Sequence, residues 1–385
     1  MTGKERVQAA IHHEEPDKVP LDAWLAPEVA DRLAEILDVN TTADPFALRK
    51  RLGHDLLYRM VGFCEGFSTI YDESKKIGEN LYRDEFGIIW SFKAQSRGGY
   101  CELVGHPFED IKNYDGYHWP DPLEVSRKRL DENRELIARD GQNYGIIGAV
   151  ACSMLEGAWY LRGLENFLMD LASNLDFVND LLDHTMHHSL VLSKELVEMG
   201  VDILWWGDDF SMETGPLMQP SLFRELLKRR YALAFDELRK IDGNVKIAFH
   251  CDGKIEWALD DLVEIGVDII NPLQPDVNDT AAVKKRYGKR LTVWGNVDTR
   301  TIMSRGSVLE VVEEMRANIR TLAPGGGHLL CSNHTIQATP RAVENTIAYY
   351  WAAHAFRDYP IRTKPIAANS KPEWTVPTSR SSQPV

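Results

Sequence analysis

The chain predicts an α/β fold, a single-domain (β/α)8 barrel of the TIM type with an irregular N-terminal third. Three observations predict it. From Asn143 onward short apolar runs alternate with longer helical runs, the pattern of right-handed βαβ crossovers feeding a parallel sheet. A length of 385 residues suits one such barrel with insertions. No Gly-x-Gly-x-x-Gly segment follows a strand, and Gly325-Gly326-Gly327 precedes a strand instead of opening a helix. An open, doubly wound sheet with a phosphate cradle is therefore the lesser alternative.

The first expected element is a helix from Gly3 to His13, stopped by the turn Glu14-Glu15-Pro16-Asp17 and followed by a short strand from Lys18 to Trp24. One further strand is expected within the irregular stretch Leu81 to Val104. The regular part opens with a strand from Tyr144 to Val150, helices Leu164 to Ala172 and Leu175 to Met199, a strand from Asp202 to Trp206 and a helix from Ser221 to Ile241. The alternation then repeats: strand Val245 to His250 with helix Ile255 to Ile265, strand Asp268 to Asn271 with helix Thr280 to Tyr287, and strand Leu291 to Trp294 with helix Val308 to Leu322. Strand His328 to Cys331 and helix Arg341 to Phe356 end the series. The barrel is thus expected over residues 1–358. The Pro-, Ser- and Lys-rich remainder, 359–385, reads as a tail or an oligomer arm, with a homodimer as the matching assembly.

Composition narrows the function. Hydrophobic residues at 44% and charged residues at 26% describe an ordinary globular chain with a sizeable core. A formal charge of -14 without any basic run excludes a nucleic-acid partner, which needs clustered Lys and Arg to neutralise phosphates. Five scattered cysteines with no CxxC pair give no disulfide framework. The polar, charged start MTGKERVQAAIHHEEPDKVP is unlike a secretory signal, so a cytoplasmic location is expected. No apolar run is long enough to span a bilayer.

In a parallel α/β protein the residues just past each strand face the active site. Here they are Asp208 and Asp209, His250 and Asp252, Asn271 and Gln274, Asn296 and Asp298, then Cys331, Asn333 and His334. Each has a structural reading too, since Asp and Asn cap helices and Asp252 could cap the helix expected near Ile255. Asp208, Asp209, His250 and His334 are the catalytic candidates. Trp24, Glu156, Trp206, Asn271 and Asn296 are the candidates for binding a small-molecule substrate, with Trp205, Phe210 and Trp294 as further aromatic walls. In an extended segment His250 and Asp252 share a face while Cys251 points away, although a turn right after His250 would keep Cys251 available. Adding Cys331 gives His250, Asp252 and Cys331, three ligands with an open fourth position, the arrangement of a catalytic zinc.

The segments MTGKERVQAAIHHEEPDKVPLD, LRGLENFLMDLASN, GDDFSMETGPLMQPSLFRELLKRRY, FHCDGKI, IGVDIINPLQP, WGNVDT and APGGGHLL, with the late TPRAVENTIAYY, occur in an order that resembles the uroporphyrinogen decarboxylase superfamily. The resemblance covers most of the chain and implies the (β/α)8 barrel. It is not to the decarboxylases themselves: their early RQAGR-type segment has no counterpart, and no arginine lies between Val19 and Arg32. The superfamily's cobalamin-linked methyltransferases hold zinc with a His-x-Cys segment and a distant cysteine. The matching positions here are His250, Asp252 and Cys331, so aspartate replaces the first cysteine and makes the site harder. Asp208-Asp209 resembles the pattern of the ether-demethylating members. The implied activity is methyl transfer between a small ether, amine or thiol and a corrinoid such as methylcobalamin. The corrinoid would ride on a partner protein, since this chain lacks a DxHxxG-type segment. A metal-independent carbon-carbon lyase like the superfamily's namesake is the alternative.

Overall fold

Short apolar runs buried on both faces form the parallel sheet that the alternation predicts, as a computed structural model of the chain shows. It describes residues 1–63, 72–95 and 98–361, the side chains of 93–95 and 98–100 apart; Cys64 and the expected tail from 362 onward lie outside the described residues. In chain order the strands are β1 (Leu56–Val61), β2 (Lys76–Gly78), β3 (Leu81–Arg83), β4 (Ile89–Gln95), β5 (Gly98–Gly105), β6 (Gly145–Val150), β7 (Ile203–Gly207), β8 (Ser211–Met212), β9 (Gly215–Pro216), β10 (Lys246–His250), β11 (Ile269–Asn271), β12 (Thr292–Trp294) and β13 (His328–Leu329). One parallel sheet of seven strands runs in the order β1-β6-β7-β10-β11-β12-β13. Helices cover its outer face, which is why every residue of β6 and β7 is buried. Gly148 permits the closest approach: a Cβ there would lie 3.0 Å from Leu196 Cβ, on the helix Leu175–Glu198.

The strand expected near Val19 lies between the two edges of this sheet, but as single bridges and not as a ladder. Leu21 pairs in parallel with Leu330, with Asp22 N donating to Leu330 O at 2.8 Å and Leu330 N to Pro20 O at 2.9 Å. On the other side Asp55 N donates to Leu21 O at 2.8 Å. Pro20 has no N–H to give, which limits how far a ladder can extend. Side chains supply the rest. The buried Asp55 carboxylate accepts from Leu21 N at 2.9 Å, Arg6 Nη1 at 2.5 Å and Arg357 Nη1 at 3.0 Å. One carboxylate therefore ties the first helix, the Pro20–Asp22 segment, the start of β1 and the end of the last helix.

Two expectations for the N-terminal third are corrected. The stretch Leu81 to Val104 does not supply a strand of the parallel sheet; with β2 it forms a separate antiparallel sheet, β2-β3-β4-β5. The missing parallel strand is β1, whose partner register with β6 runs from Leu56↔Gly145 to Val61↔Val150. Its sequence LLYRMV carries an arginine and a tyrosine that mask the apolar run. Helices Pro27–Ile36 and Arg127–Asp140 were not expected either, whereas Glu156 does stand in the first turn of a helix, Leu155–Arg162, the alternative reading of that acid. Among the described residues no helix is long and apolar enough to cross a membrane.

The seam generates a prediction. Asp55→Ala leaves the buried Arg357 guanidinium without its carboxylate partner and Arg6 with Asp17 alone, so chemical denaturation should show a loss of about 3–5 kcal/mol. A loss under about 1 kcal/mol would mean that the ladder alone holds the edges together.

Candidate active site

Strand register decides which side chains face inward. β10 pairs with β7 as Phe249↔Trp206 and His250↔Gly207, so Trp205 shares the face of His250 while Trp206 shares that of Phe249. Trp206 is fully buried against Tyr231 and Phe235 of the helix Arg229–Ile241, with ring centroids 6.5 and 5.8 Å apart. It packs the outer layer, which corrects its assignment to substrate. Trp205 lies on the His250 side of the sheet instead, 4.8 Å from the His250 ring. Trp24 stacks on the other side of His250 at 5.7 Å and 27°, and meets Trp205 and Trp294 edge-on. Phe210 packs against Phe223 and Trp257, away from the imidazole.

Asn271, at the end of β11, governs the histidine. Its Nδ2 donates to Trp294 O at 2.8 Å, which fixes Oδ1 as the acceptor for Trp205 Nε1 at 2.7 Å and His250 Nδ1 at 2.8 Å. His250 Nδ1 is therefore the donor in that contact, and Nε2 of the same ring lies 3.9 Å from Asp209 Oδ1. With 1% exposure and its Oδ1 shared by Trp205 and His250, Asn271 is placed to orient His250, not to line an open pocket. That too is a correction.

Around Nε2 lie carboxylates. Asp209 Oδ1 accepts from Asp252 N at 2.8 Å, and Asp252 Oδ1 accepts from Gln274 Nε2 at 3.0 Å. Glu156 is buried behind them, its Oε2 accepting from Asp209 N at 3.4 Å. His334 is exposed at the rim, its Nε2 3.7 Å from Asp252 Oδ2. Burial, then the charges of Asp209 and Asp208, push the Glu156 carboxyl well above the usual glutamate range. Burial also raises Asp209, helped by Asp252 and opposed by His250. Ligand atoms of Asp209, His250 and Asp252 all lie within 4.8 Å of one another.

Asp208 does a different job from its neighbour. It is fully buried, and its carboxylate accepts from Leu155 N and Glu156 N, at 2.9 and 2.8 Å, at the start of the helix Leu155–Arg162, and from the Tyr231 hydroxyl at 2.6 Å. Burial raises its pKa to about 6 despite these donors. A carboxylate so fully occupied anchors a helix and is not free to handle a substrate proton, so the catalytic assignment of Asp208 is corrected.

A sequence profile described as Uroporphyrinogen decarboxylase (URO-D) matches residues 103–355. The chain belongs to the uroporphyrinogen decarboxylase family. None of the curated proteins matches it. Among solved structures it is similar in fold to a methyltransferase from Methanosarcina mazei, at 20% identity and a TM-score of 0.67, over 92% of this chain and 99% of that one. A B12-independent methionine synthase from a Shewanella species is similar at 15% identity and a TM-score of 0.42, over 89% and 93% of the two chains.

Within this uroporphyrinogen decarboxylase family member, Cys331 is not part of the inner cluster. The ladder of β13 ends at Leu329 and Leu330 is taken up by Leu21, so Cys331 turns to the seam, where its fully buried thiol donates to Asp22 Oδ2 at 3.7 Å. Burial and Asp22 hold that thiol well above its usual pKa, the opposite of what a metal thiolate needs. Of the expected set His250, Asp252 and Cys331, the structure brings His250 and Asp252 together with Asp209, while Cys331 lies apart at the seam. Cys251 is buried with its Sγ donating to Asp252 O at 3.3 Å, as alternation along β10 requires. Asn296 is turned away as well, donating to Leu273 O and to Thr280 Oγ1 at 3.1 Å and accepting from Asn318 at 2.7 Å, so it braces loops and does not reach a substrate. Gln274, named only as a strand-end amide, holds Asp252 by its Nε2 and Gly253 N by its Oε1 at 2.9 Å.

The two aspartates of the GDD segment should part company on mutation. Asp208→Ala strands two helix N–H groups and a buried tyrosine hydroxyl and should lower stability by about 3 kcal/mol or more in thermal denaturation. Asp209→Ala, which relieves like-charge crowding, should stay within about 1 kcal/mol of the parent protein. Equal losses would contradict the division of roles.

Proposed function

We propose that the protein moves a methyl group from a small oxygen- or nitrogen-bearing donor to a corrinoid carried on a separate protein, at the strand ends of a (β/α)8 barrel whose eighth place is taken by Pro20–Asp22. The charge of those strand ends carries this reading. Asp209 and Asp252 open onto their rim, with Glu156 and Asp208 buried behind them, and Arg49 is bound to Asp22 at 3.0 Å and to the Tyr58 hydroxyl at 2.8 Å. A tetrapyrrole bearing many carboxylates would meet a mouth of its own sign, which makes the family's namesake decarboxylation the weaker reading. A neutral or cationic methyl donor meets no such repulsion. The methyltransferase from Methanosarcina mazei, alike in fold over nearly its whole length, supports the same direction.

In this reading Trp24 and Trp205 wall the donor, and the polar floor of Asp209, His250 and Asp252 receives its heteroatom. The methyl group points outward to the corrinoid. The bond from carbon to oxygen or nitrogen breaks with its electron pair left on the heteroatom, which takes up a proton; the reduced corrinoid supplies the pair for the new bond to carbon. Glu156, whose carboxyl burial and its acidic neighbours raise well above the usual range, is the acid that supplies that proton. A divalent cation held by Asp209, His250 and Asp252 would polarise the departing heteroatom. Thiol donors suit such a floor least, because it offers no soft ligand.

The test is spectroscopic. Free cob(I)alamin is mixed with the protein and panels of methyl ethers, methylamines and methyl thioethers, and conversion to methylcobalamin is followed in the visible range. Conversion with one ether or amine class is expected, slowed about 100-fold or more by Asp209→Ala or His250→Ala. Consumption of uroporphyrinogen, with no methylation from any donor, would overturn the proposal.

A further inference from the structure

We infer that the cleft between the helices Thr280–Tyr287 and Val308–Leu322 binds a small aliphatic amine in its ammonium form, held by the Asn318 carbonyl and the Glu314 carboxylate. The site lies apart from the strand-end cluster and does not rest on the proposed methyl transfer.

A chain of amides fixes the key acceptor. The Leu273 carbonyl can only accept, so Asn296 must turn its Nδ2 to it, and the same Nδ2 reaches Thr280 Oγ1 at 3.1 Å. Asn296 Oδ1 is then the acceptor for Asn318 Nδ2 at 2.7 Å. That order leaves Asn318 Oδ1, on a residue only 5% exposed that lines the cleft, with no donor among the described residues. A buried carbonyl without a donor costs free energy, and a bound N–H group removes that cost.

Charge and size select the ligand. Glu314 stands one helical turn before Asn318, and both face the same cleft, with Asp279 lining it from the start of the other helix. None of the residues lining it is Lys, Arg or His. Burial, then the charge of Asp298, pushes the Glu314 carboxyl above the usual glutamate range, a cost that a bound cation would relieve. The cavity measures about 390 Å³, within the roughly 300–1,000 Å³ of small-molecule sites and far larger than an ion. Calcium would also need about six or more oxygens. Pro275, Ala281 and Ala317 instead offer an apolar wall suited to methylenes. Among the described residues no aromatic ring lines the cleft, so a quaternary ammonium, which is held by ring faces, fits it less well than a primary amine. Through Asn296 the cleft is tied to Leu273, which sits between Asn271 and Gln274, the residues that hold His250 and Asp252. An occupant therefore braces the loop after β11.

Butylamine, putrescine, butanol and calcium chloride are titrated into the full chain by calorimetry, with circular dichroism confirming the fold of each variant. One amine per chain is expected, with neither butanol nor calcium taken up. Affinity should fall about 10-fold or more in Glu314→Gln and in Asn318→Leu, each of which removes an acceptor. Ala317→Arg, at an exposed position on the wall, should abolish binding without disturbing the core. Glu313→Gln, on the same helix but paired with Arg316, should bind within about twofold of the parent. Failure of both amines to bind at millimolar concentration overturns the inference, as does butanol binding as well as butylamine, calcium excluding both amines, or full binding in Ala317→Arg. Binding that survives Glu314→Gln and is lost in Asp209→Asn would place the amine at the barrel mouth and overturn it too.

Discussion

The carboxylate of Asp55 is the constraint on which the remaining architecture depends. A parallel sheet covered by helices on one face curls because its strands twist, and its strand ends converge only if the two edges are brought together. Here those edges, β1 and β13, are bridged by a three-residue segment beginning with a proline, which can form few ladder bonds. Asp55 compensates by accepting from Leu21 N, Arg6 and Arg357 at one point. Arg357 and Asp55 are both buried, and Arg6 also holds the half-exposed Asp17, so the carboxylate of Asp55 is the buried member on which the cluster depends. Helices at the two ends of the described chain are thereby joined to the seam, so the first and last helical turns belong to the barrel wall.

With the strand ends gathered, one carboxamide organises them. Asn271 reaches Trp294 on β12, His250 on β10 and Trp205 on β7, so a single side chain at the end of β11 spans four strands. Because the amide has fixed donor and acceptor ends, the Trp294 carbonyl sets its orientation and so the tautomer of His250. Two layers result. The inner layer of tryptophans and amide is rigid and apolar, and the outer layer of carboxylates is partly hydrated. Asp208 keeps these layers in register from a third direction, anchoring the helix that carries Glu156 and passing its own N–H to His250 O at 3.0 Å.

Much of this was legible in the sequence because parity along a strand is a local property. The placement of His250 and Asp252 together, with Cys251 on the far side, follows from alternation and holds in the structure. The six later strands were legible for the same reason, as apolar runs between helical ones. Trp205 and Trp206 could not be sorted this way, since parity says that they face opposite sides but only the register of β7 against β10 says which side is inward. Cys331 and Asn296 depend on matters further from the chain's local pattern. The direction of Cys331 is set by where Pro20–Asp22 meets β13, a contact between residues some three hundred positions apart, and Asn296 is captured by Asn318 on a later helix. β1 was hidden because Tyr58 and Arg59 face partners, Arg49 and Phe46, that the sequence alone does not place beside them.

The replacement of a cysteine by Asp252 acquires a physical meaning from its surroundings. Thiolate ligands need a low pKa and a neighbour that stabilises negative sulfur. Cys251 and Cys331 are both buried, which raises their thiols well above the usual range, and Asp209 and Asp22 beside them add to it. The same surroundings raise the Asp209 carboxyl, through burial and the charge of Asp252, against the opposing charge of His250. A thiol at position 252 would face Asp209 in the same way, so restoring a cysteine there alone would place it in a field that opposes its ionisation.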